Sequence, residues 1–398
     1  MSVIIAGGGI GGLALALALD RVGVAAEIHE ARTEHEPSAV GAFLNLAPNG
    51  INALRELDLA DEVTARGHRS TGIDFFNRHG RRVGQLDATD QIADYGAQNV
   101  MIRRADLHDA LLTAVRAIGL SVTFGHRVES VSETAAGITV AFANGQDAEG
   151  SVLIGCDGVH SPTRTHVVGP QRSPKYLGLV DIAGFSRAPL AGLESGPQCM
   201  VFGRRAFFAH YLTPDGQTWW FSNVPRPDRP TRTQLAAEPT DGWLADLRAI
   251  HRDDPPEIGV ILAHSDPPVG AWPTTDLAFL PRWHTARVCL LGDAAHATSP
   301  SAGQGASLAI EDAVALANHI ARSGLGQNAF GGFERERRPR VEWLIKSARR
   351  NGSRKIPGPI GGWIRDWLLP LFLRLGARDA NNAYGYRAEP LRTTGRRG

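Results

Sequence analysis

Short apolar runs and helix-periodic stretches alternate along the first third of this chain. Val3 to Ala6 is an uninterrupted apolar run, Leu13 to Leu19 alternates leucine with alanine, and Val24 to His29 returns to a strand-like pattern. Leu and Ala are strong helix formers and short branched runs suit buried strands, so the three predict strand, helix, strand. Val40 to Pro48 is expected to be extended and Asn49 to Leu57 a short helix. Thr71 to Asn77 and Arg81 to Leu86 flank the turn signal His79-Gly80 and predict a hairpin. Helical spacing returns over Ala105 to Ile118, followed by strand patterns at Ser121 to Phe124, Arg127 to Val131 and Gly137 to Phe142. Two later runs, Ser151 to Gly155 and Arg287 to Leu291, are apolar beyond their first residue, as strands covered on both faces are.

Between those two runs the texture changes. From about Arg172 to Trp272 the chain is aromatic and β-branched, and Leu179 to Phe185, Gln198 to Phe202, Ala206 to Thr213 and Trp219 to Val224 predict an antiparallel sheet. Helical patterns near Gln234 and over Gly242 to Ile250 are expected to cover it. An alanine-rich helix is predicted over Ala306 to Arg322 and a charged one over Phe333 to Arg349. An apolar helix interrupted by Pro370 is predicted over Trp363 to Leu375. The tail from Ala377 is polar and expected to be mobile.

Three glycine-containing markers sit at the ends of predicted strands. Gly7, Gly9 and Gly12 fill a GxGxxG pattern between strand and helix: one glycine for a tight turn, one for close backbone approach to a pyrophosphate, one for helix against strand. The helix start is where unpaired N–H groups and the dipole favour an anion, and Glu30, about 20 residues on, suits a ribose hydroxyl. That pattern specifies an ADP-containing dinucleotide and leaves NAD and FAD open. Asp157-Gly158 and Gly292-Asp293 each follow an apolar strand, and ligands of parallel sheets bind outside the carboxyl ends of their strands. The three markers are therefore expected to converge on one elongated ligand.

Composition narrows the class without naming the chemistry. The chain has 398 residues, 43% hydrophobic and 21% charged, with a net charge of +1, which gives no general reason to expect nucleic acid. Basic residues exceed acidic ones by about ten after Gly331, so the imbalance is local. No apolar segment is long enough to span a bilayer, and with the first strand at residue 3 a cytoplasmic location is expected. Cys156, Cys199 and Cys289 are widely spaced, with no metal or disulfide pattern, and read as buried free thiols. Glu311 and Asp312 have no His or Cys cluster beside them, so no metal site is expected.

Taken in order, GGGIGG with Glu30, Arg104 in RADLHDAL, CDGVHSPTR, and GDAAHATSPSAGQGASLAIED resemble the para-hydroxybenzoate hydroxylase family of single-component FAD-dependent aromatic hydroxylases. The resemblance covers residues 1 to about 345. It implies an α/β fold: a Rossmann-like FAD-binding domain of the glutathione-reductase type, an inserted, mostly antiparallel β-sheet substrate domain, and a C-terminal helical segment. The expected division is 1–72, 100–172 and 275–345 for FAD, 73–99 and 173–274 for substrate, and 346–398 for the C-terminal helix and tail. By the same resemblance Gly7, Gly9, Ile10, Gly11, Gly12, Glu30 and Ala31 hold the ADP half, and Arg32 and Arg104 lie along the cofactor. Asn45 approaches the flavin and the Val128 backbone approaches adenine. Asp157 serves both FAD and NAD(P)H, Asp293 binds the ribityl chain, and Pro300, Gly303, Gly305 and Ala306 line the isoalloxazine. Ser307 stands where many relatives have Asn.

The implied reaction takes a hydride from NADH or NADPH, forms a flavin C4a-hydroperoxide with O2, and passes one oxygen to an electron-rich aromatic or polycyclic substrate. Phe185, Phe202, Phe208, Trp219 and Phe221 are the expected walls of an apolar pocket, of which strand alternation lets about half face the flavin. His210 and Tyr211 are the candidate acid or base groups, and Arg204 or Arg205 is the candidate for a substrate anion. The family's urate-oxidising members place a Tyr near the Trp219-Trp220 strand, so the tryptophans here count against urate. Epoxidation, Baeyer-Villiger oxygenation, flavin reduction and non-catalytic sequestration of an aromatic ligand stay open. So do membrane contact by the 363–375 helix and the choice between monomer and homodimer.

Overall fold

The computed structural model describes residues 2–35, 43–190, 194–298, 303–352 and 377–392. At its centre is a five-stranded parallel sheet in the order Val288–Leu290, Val152–Gly155, Val3–Ala6, Ala26–His29, Val122–Thr123. Val3, Ile4 and Ile5 are fully buried, as are Leu153 and Ile154 beside them. Layers cover both faces, which is why these strands read as continuous apolar runs. Helices Ile10–Arg21 and Gly305–Ser323 pack so closely that a Cβ on Gly11 would lie 3.0 Å from Leu291 Cδ2 and 3.4 Å from Ala309 Cβ.

Two small antiparallel sheets attach to this core. One joins Asp147–Gly150, Ile138–Phe142 and Val128–Glu133; the other places Val100–Arg103 between Phe43–Leu46 and His68–Arg69. A larger seven-stranded sheet runs in the order Ser265–Asp276, Lys175–Ser186, Thr218–Pro225, Phe207–Leu212, Pro197–Phe202, Gly72–Asn77, Arg82–Asp87. All its pairings are antiparallel except Pro197–Phe202 with Gly72–Asn77. The early hairpin thus completes a sheet built mostly from residues a hundred positions later.

The structure departs from the expectations in three places. Strand Ser265–Asp276 and helix Pro256–Ala263 were not expected, because Pro267, Pro268 and Pro273 argue against a strand; an edge position tolerates them, since one side of an edge strand needs no ladder donor. The charged helix runs from Gln327 to Gly352 straight through Pro339. The tail from Ala377 forms helix Ala377–Tyr384 and then docks: Asn318 Nδ2 donates to the Glu389 carbonyl at 2.7 Å, and the Leu391 amide donates to Glu56 Oε2 at 3.1 Å. The 363–375 stretch lies outside the described residues. Among those described, no helix is long and apolar enough to cross a membrane.

Candidate active site

The turn after the first strand is shaped by what its glycines must avoid. Gly7 has φ of 110°, and a Cβ there would stand 2.3 Å from the Cys156 carbonyl oxygen; one on Gly12 would stand 1.9 Å from the Gly7 oxygen. A Cβ on Gly9 would meet nothing within 4 Å. Gly7 and Gly12 therefore serve close backbone packing, while Gly9, which caps helix Ile10–Arg21, faces open space where the helix presents unpaired N–H groups.

Glu30 fastens this turn to the neighbouring strand. Its Oε2 accepts the Gly8 amide at 2.7 Å, and its Oε1 accepts both the Arg32 amide at 2.9 Å and Arg32 Nε at 3.0 Å. Burial pushes the carboxyl up, but the Arg32 hydrogen bonds and charge and the Gly8 amide outweigh it and hold the group below the usual carboxylate range. His108, which the sequence reading did not single out, donates Nε2–H to the Gly8 carbonyl at 2.8 Å. Beyond Ala31, the Arg32 carbonyl accepts the Gly125 amide at 2.9 Å and the Glu30 carbonyl accepts the His126 amide at 2.8 Å. These bonds carry the start of strand Val128–Glu133 alongside, with the Val128 side chain in the core.

The other two markers arrive at the same end of the parallel sheet. Asp157 Oδ2 accepts the Thr163 amide at 3.0 Å, while Oδ1 is buried with no hydrogen-bond partner among the described residues. Burial raises this carboxyl. Asp293 is exposed, and its Oδ1 lies 3.9 Å from where a Gly305 Cβ would be, at the first turn of helix Gly305–Ser323. Arg104 is open to solvent yet crowded by protein atoms, as the wall of a cleft is; that crowding lowers its proton affinity, the Asp293 charge opposes the lowering, and Arg32 adds to it. Gly303 is exposed with φ of 59° and Ala306 is half-buried, whereas Pro300 lies outside the described residues. Asn45 donates Nδ2 to Asn99 Oδ1 at 3.1 Å and leaves its own Oδ1 buried without a partner among the described residues.

The model of the FAD binding domain family matches residues 1–348. The chain belongs to that family. An FAD-dependent urate hydroxylase of Klebsiella pneumoniae is 33% identical over 88% of this chain and 89% of its own. The aurachin C monooxygenase/isomerase of Stigmatella aurantiaca is 29% identical over 96% of both chains. Among solved structures, Klebsiella pneumoniae HpxO complexed with FAD and uric acid superposes with a TM-score of 0.84 and 28% identity over 96% of each chain. The cofactor is FAD, and the residues present fit it. The open Gly9 side, the Asp157 and Asn45 oxygens that have no partner among the described residues, the Arg104 cation and the helix start at Gly305 are donors, acceptors and space that a flavin dinucleotide requires.

The seven-stranded sheet has two faces with different neighbours. Tyr211, Trp219 and Phe185 share one cross-strand row, and Ala209, Phe221 and Ala183 the next. This face meets the small sheet of Phe43–Leu46, Val100–Arg103 and His68–Arg69: the Phe43 ring lies 5.6 Å from Trp219 and 6.1 Å from Phe221, and His68 lies 5.5 Å from Trp219. Arg103 stacks over Phe185 at 4.6 Å and donates Nη2 to Gln217 Oε1 at 2.6 Å, which also accepts Trp219 Nε1 at 2.8 Å. Tyr211 is buried, its hydroxyl directed at the Arg69 carbonyl at 3.4 Å. Phe202 shares the face but sits further along it, stacked on Phe75 at 6.1 Å.

Three expectations are corrected here. His210 and Phe208 alternate with Tyr211 and so point to the opposite face, where Phe208 packs in a cluster with Trp243, Leu244, Leu247, Ile258 and Ile261 from the covering helices. His210 is buried there, and burial lowers it to about 4, which leaves it neutral near pH 7. Arg204 is exposed in the turn after Pro197–Phe202, its amide bound to Asp254 Oδ1 at 2.7 Å and its guanidinium 3.6 Å from Asp253. Sequence reasoning missed Phe43, His68, Arg103 and Gln217. Arg103 had one available signal, its position next to Arg104, but nothing local tells which of two arginines stacks on an aromatic ring.

Beneath the covered face Ser222 Oγ lies 3.0 Å from His251 Nε2, and His251 Nδ1 lies 2.8 Å from Asp254 Oδ2. The spacing is that of a nucleophile, a base and its orienting acid. All three side chains are sealed, and Ser222 also bonds the Phe207 carbonyl at 3.0 Å, so the set ties the seven-stranded sheet to the helical layer.

Proposed function

We propose that this protein is a single-component monooxygenase that uses its FAD, NADH or NADPH, and O2 to hydroxylate an aromatic or polycyclic small molecule. The observation that carries the reading is the aromatic row Tyr211, Trp219 and Phe185, with Phe221 beside it, turned towards the half of the molecule that binds FAD. Bound FAD supplies the redox chemistry, accepting a hydride and delivering oxygen. The chain supplies position and dryness. Gly7 to Gly12 and Glu30 hold the ADP half; Arg104 and Asp293 face the cleft between the two glycine-containing turns. The first turn of helix Gly305–Ser323 offers a positive dipole end to negative charge that builds on a reduced flavin. The aromatic face excludes water, without which reducing equivalents are lost as hydrogen peroxide.

Relatives act on urate, aurachin C and 3-amino-4-hydroxybenzoate, as their names state. The shared demand is a planar, electron-rich ring, which stacked aromatic walls suit. Tyr211 is the titratable hydroxyl on this face, and burial raises it to about 12, so it serves as a hydrogen-bond donor. We place the substrate against Trp219 and Phe221. The test is NAD(P)H oxidation by the yellow protein in a panel of phenolic and polycyclic compounds, with labelled O2 traced into product. Label in product supports the reading; ligand-stimulated oxidation with all label in peroxide or water overturns it.

A further inference from the structure

Two adjacent residues of one helix hold both ends of the connection that leads into it. Asp312 Oδ2 accepts the Gly292 amide at 3.2 Å and faces His296 Nε2 at 2.6 Å. Glu311 Oε1 accepts Asn49 Nδ2 at 2.6 Å, and the same Asn49 nitrogen reaches Gln304 Oε1 at 3.0 Å. Gly292 introduces Asp293, and Gln304 caps the helix at Gly305. One carboxylate pair, itself fully buried, therefore sets where both features of the FAD cleft stand.

Two arginines from the long helix Gln327–Gly352 oppose that pair. Arg337 donates Nε to Asp312 Oδ1 at 2.7 Å and Nη2 to Glu311 Oε2 at 2.5 Å; Arg340 donates Nη2 and Nε to Glu311 at 2.8 and 2.9 Å. Charges balance, yet Arg337 Nη1 is buried with no hydrogen-bond acceptor among the described residues. A buried ion quartet keeps its geometry only if it is packed on every side. The remaining side is closed by Tyr386, whose ring centroid is 4.9 Å from Arg337 Cζ and 4.3 Å from Arg340 Cζ. An aromatic face gives a guanidinium an electrostatic partner without a formal acceptor. The Tyr386 hydroxyl donates to Glu336 Oε1 at 3.1 Å, and Arg340 holds the preceding segment through the Asn382 and Ala383 carbonyls at 2.7 and 2.8 Å.

We infer that Tyr386 is a positioning residue for FAD: its ring presses Arg337 and Arg340 onto Glu311 and Asp312, which fix the turn into Asp293 and the helix start at Gly305. The docked C-terminal segment is thus part of the cofactor site without touching the cofactor. This inference rests on FAD binding alone, so it stands or falls separately from the oxygenation reading.

The experiment uses the full chain carrying Tyr386→Ala, Tyr386→Leu or Tyr386→Phe. FAD affinity is measured by reconstituting apoprotein, together with the flavin midpoint potential and the melting temperature of the apoprotein. Leu247→Ala, in the helices behind the substrate sheet, serves as a destabilised control. Loss of the ring should weaken FAD about tenfold in the Ala and Leu variants and displace the potential, whereas the Phe variant stays near the parent. The control should lose melting temperature and keep its FAD affinity. Parental affinity and potential in both ring-deleted variants, or a control that loosens FAD as much as they do, overturns the inference.

Discussion

Glu30 Oε2 accepts the Gly8 amide at 2.7 Å, so one carboxylate joins the end of the second strand to the turn after the first. Removing it strips an acceptor from Gly8 and from Arg32 together. Glu30→Ala should weaken FAD by about tenfold or more, since an orphaned buried donor costs about 1–3 kcal/mol. Substrate KM should change less than about twofold once FAD saturates the protein. Fluorescence titration of apoprotein and steady-state kinetics check this, and equal losses in both would contradict the division of roles. Because the folded carboxyl is held below its ordinary value, its contribution is present above about pH 4.3 and is lost as pH falls through the lowered value.

Trp219 is the residue on which Phe43, His68 and Phe185 all converge. Trp219→Ala should open the aromatic wall to water. The expected result is NAD(P)H oxidation that persists while hydroxylated product falls at least about fivefold and hydrogen peroxide rises. Product and peroxide, assayed in the same reaction, decide it; unchanged coupling would place the substrate elsewhere.

His210 gives a contrasting case. It faces the covering helices, and burial lowers it to about 4. Its folded value lies below the ordinary 6.5, so the unfolded chain binds the extra proton and stability is lost as pH falls from about 6.5 towards 4, by up to about 3 kcal/mol. His210→Gln should flatten that part of the melting-temperature profile and leave the pH dependence of kcat between about 6 and 9 unchanged. A shifted kinetic profile would put His210 back in the reaction.

Ser222, His251 and Asp254 have hydrolase spacing but no access. A fluorophosphonate probe should leave the native protein unlabelled, and Ser222→Ala should lower stability by about 1–3 kcal/mol through the stranded His251. Stoichiometric labelling of Ser222 in the folded protein would refute the sealed geometry.

Much of the FAD half was legible in the chain itself. Gly7, Gly9, Gly12 and Glu30 form a local unit whose spacing is dictated by one turn, one helix and one strand. The runs before Asp157 and Asp293 are apolar throughout because their strands are covered on both faces. The aromatic sheet was legible as a sheet but not as a site. Alternation shows that Tyr211 and His210 face opposite ways, but choosing the flavin side takes knowledge of which face the helices cover, and those helices come from residues 232–263.

By itself, then, the sequence determined the strand, turn, helix and strand from Val3 to Glu30, because that unit rests on contacts within a few turns of chain, and the resemblance its motifs carry implied the fold class. Tertiary structure alone decided that Trp219 and not His210 meets the FAD half, that Arg103 stacks on Phe185, and that Glu311 and Asp312 answer to a tyrosine about 75 residues on. Such pairings depend on how separate elements dock, and buried charges find partners wherever docking brings opposite signs together.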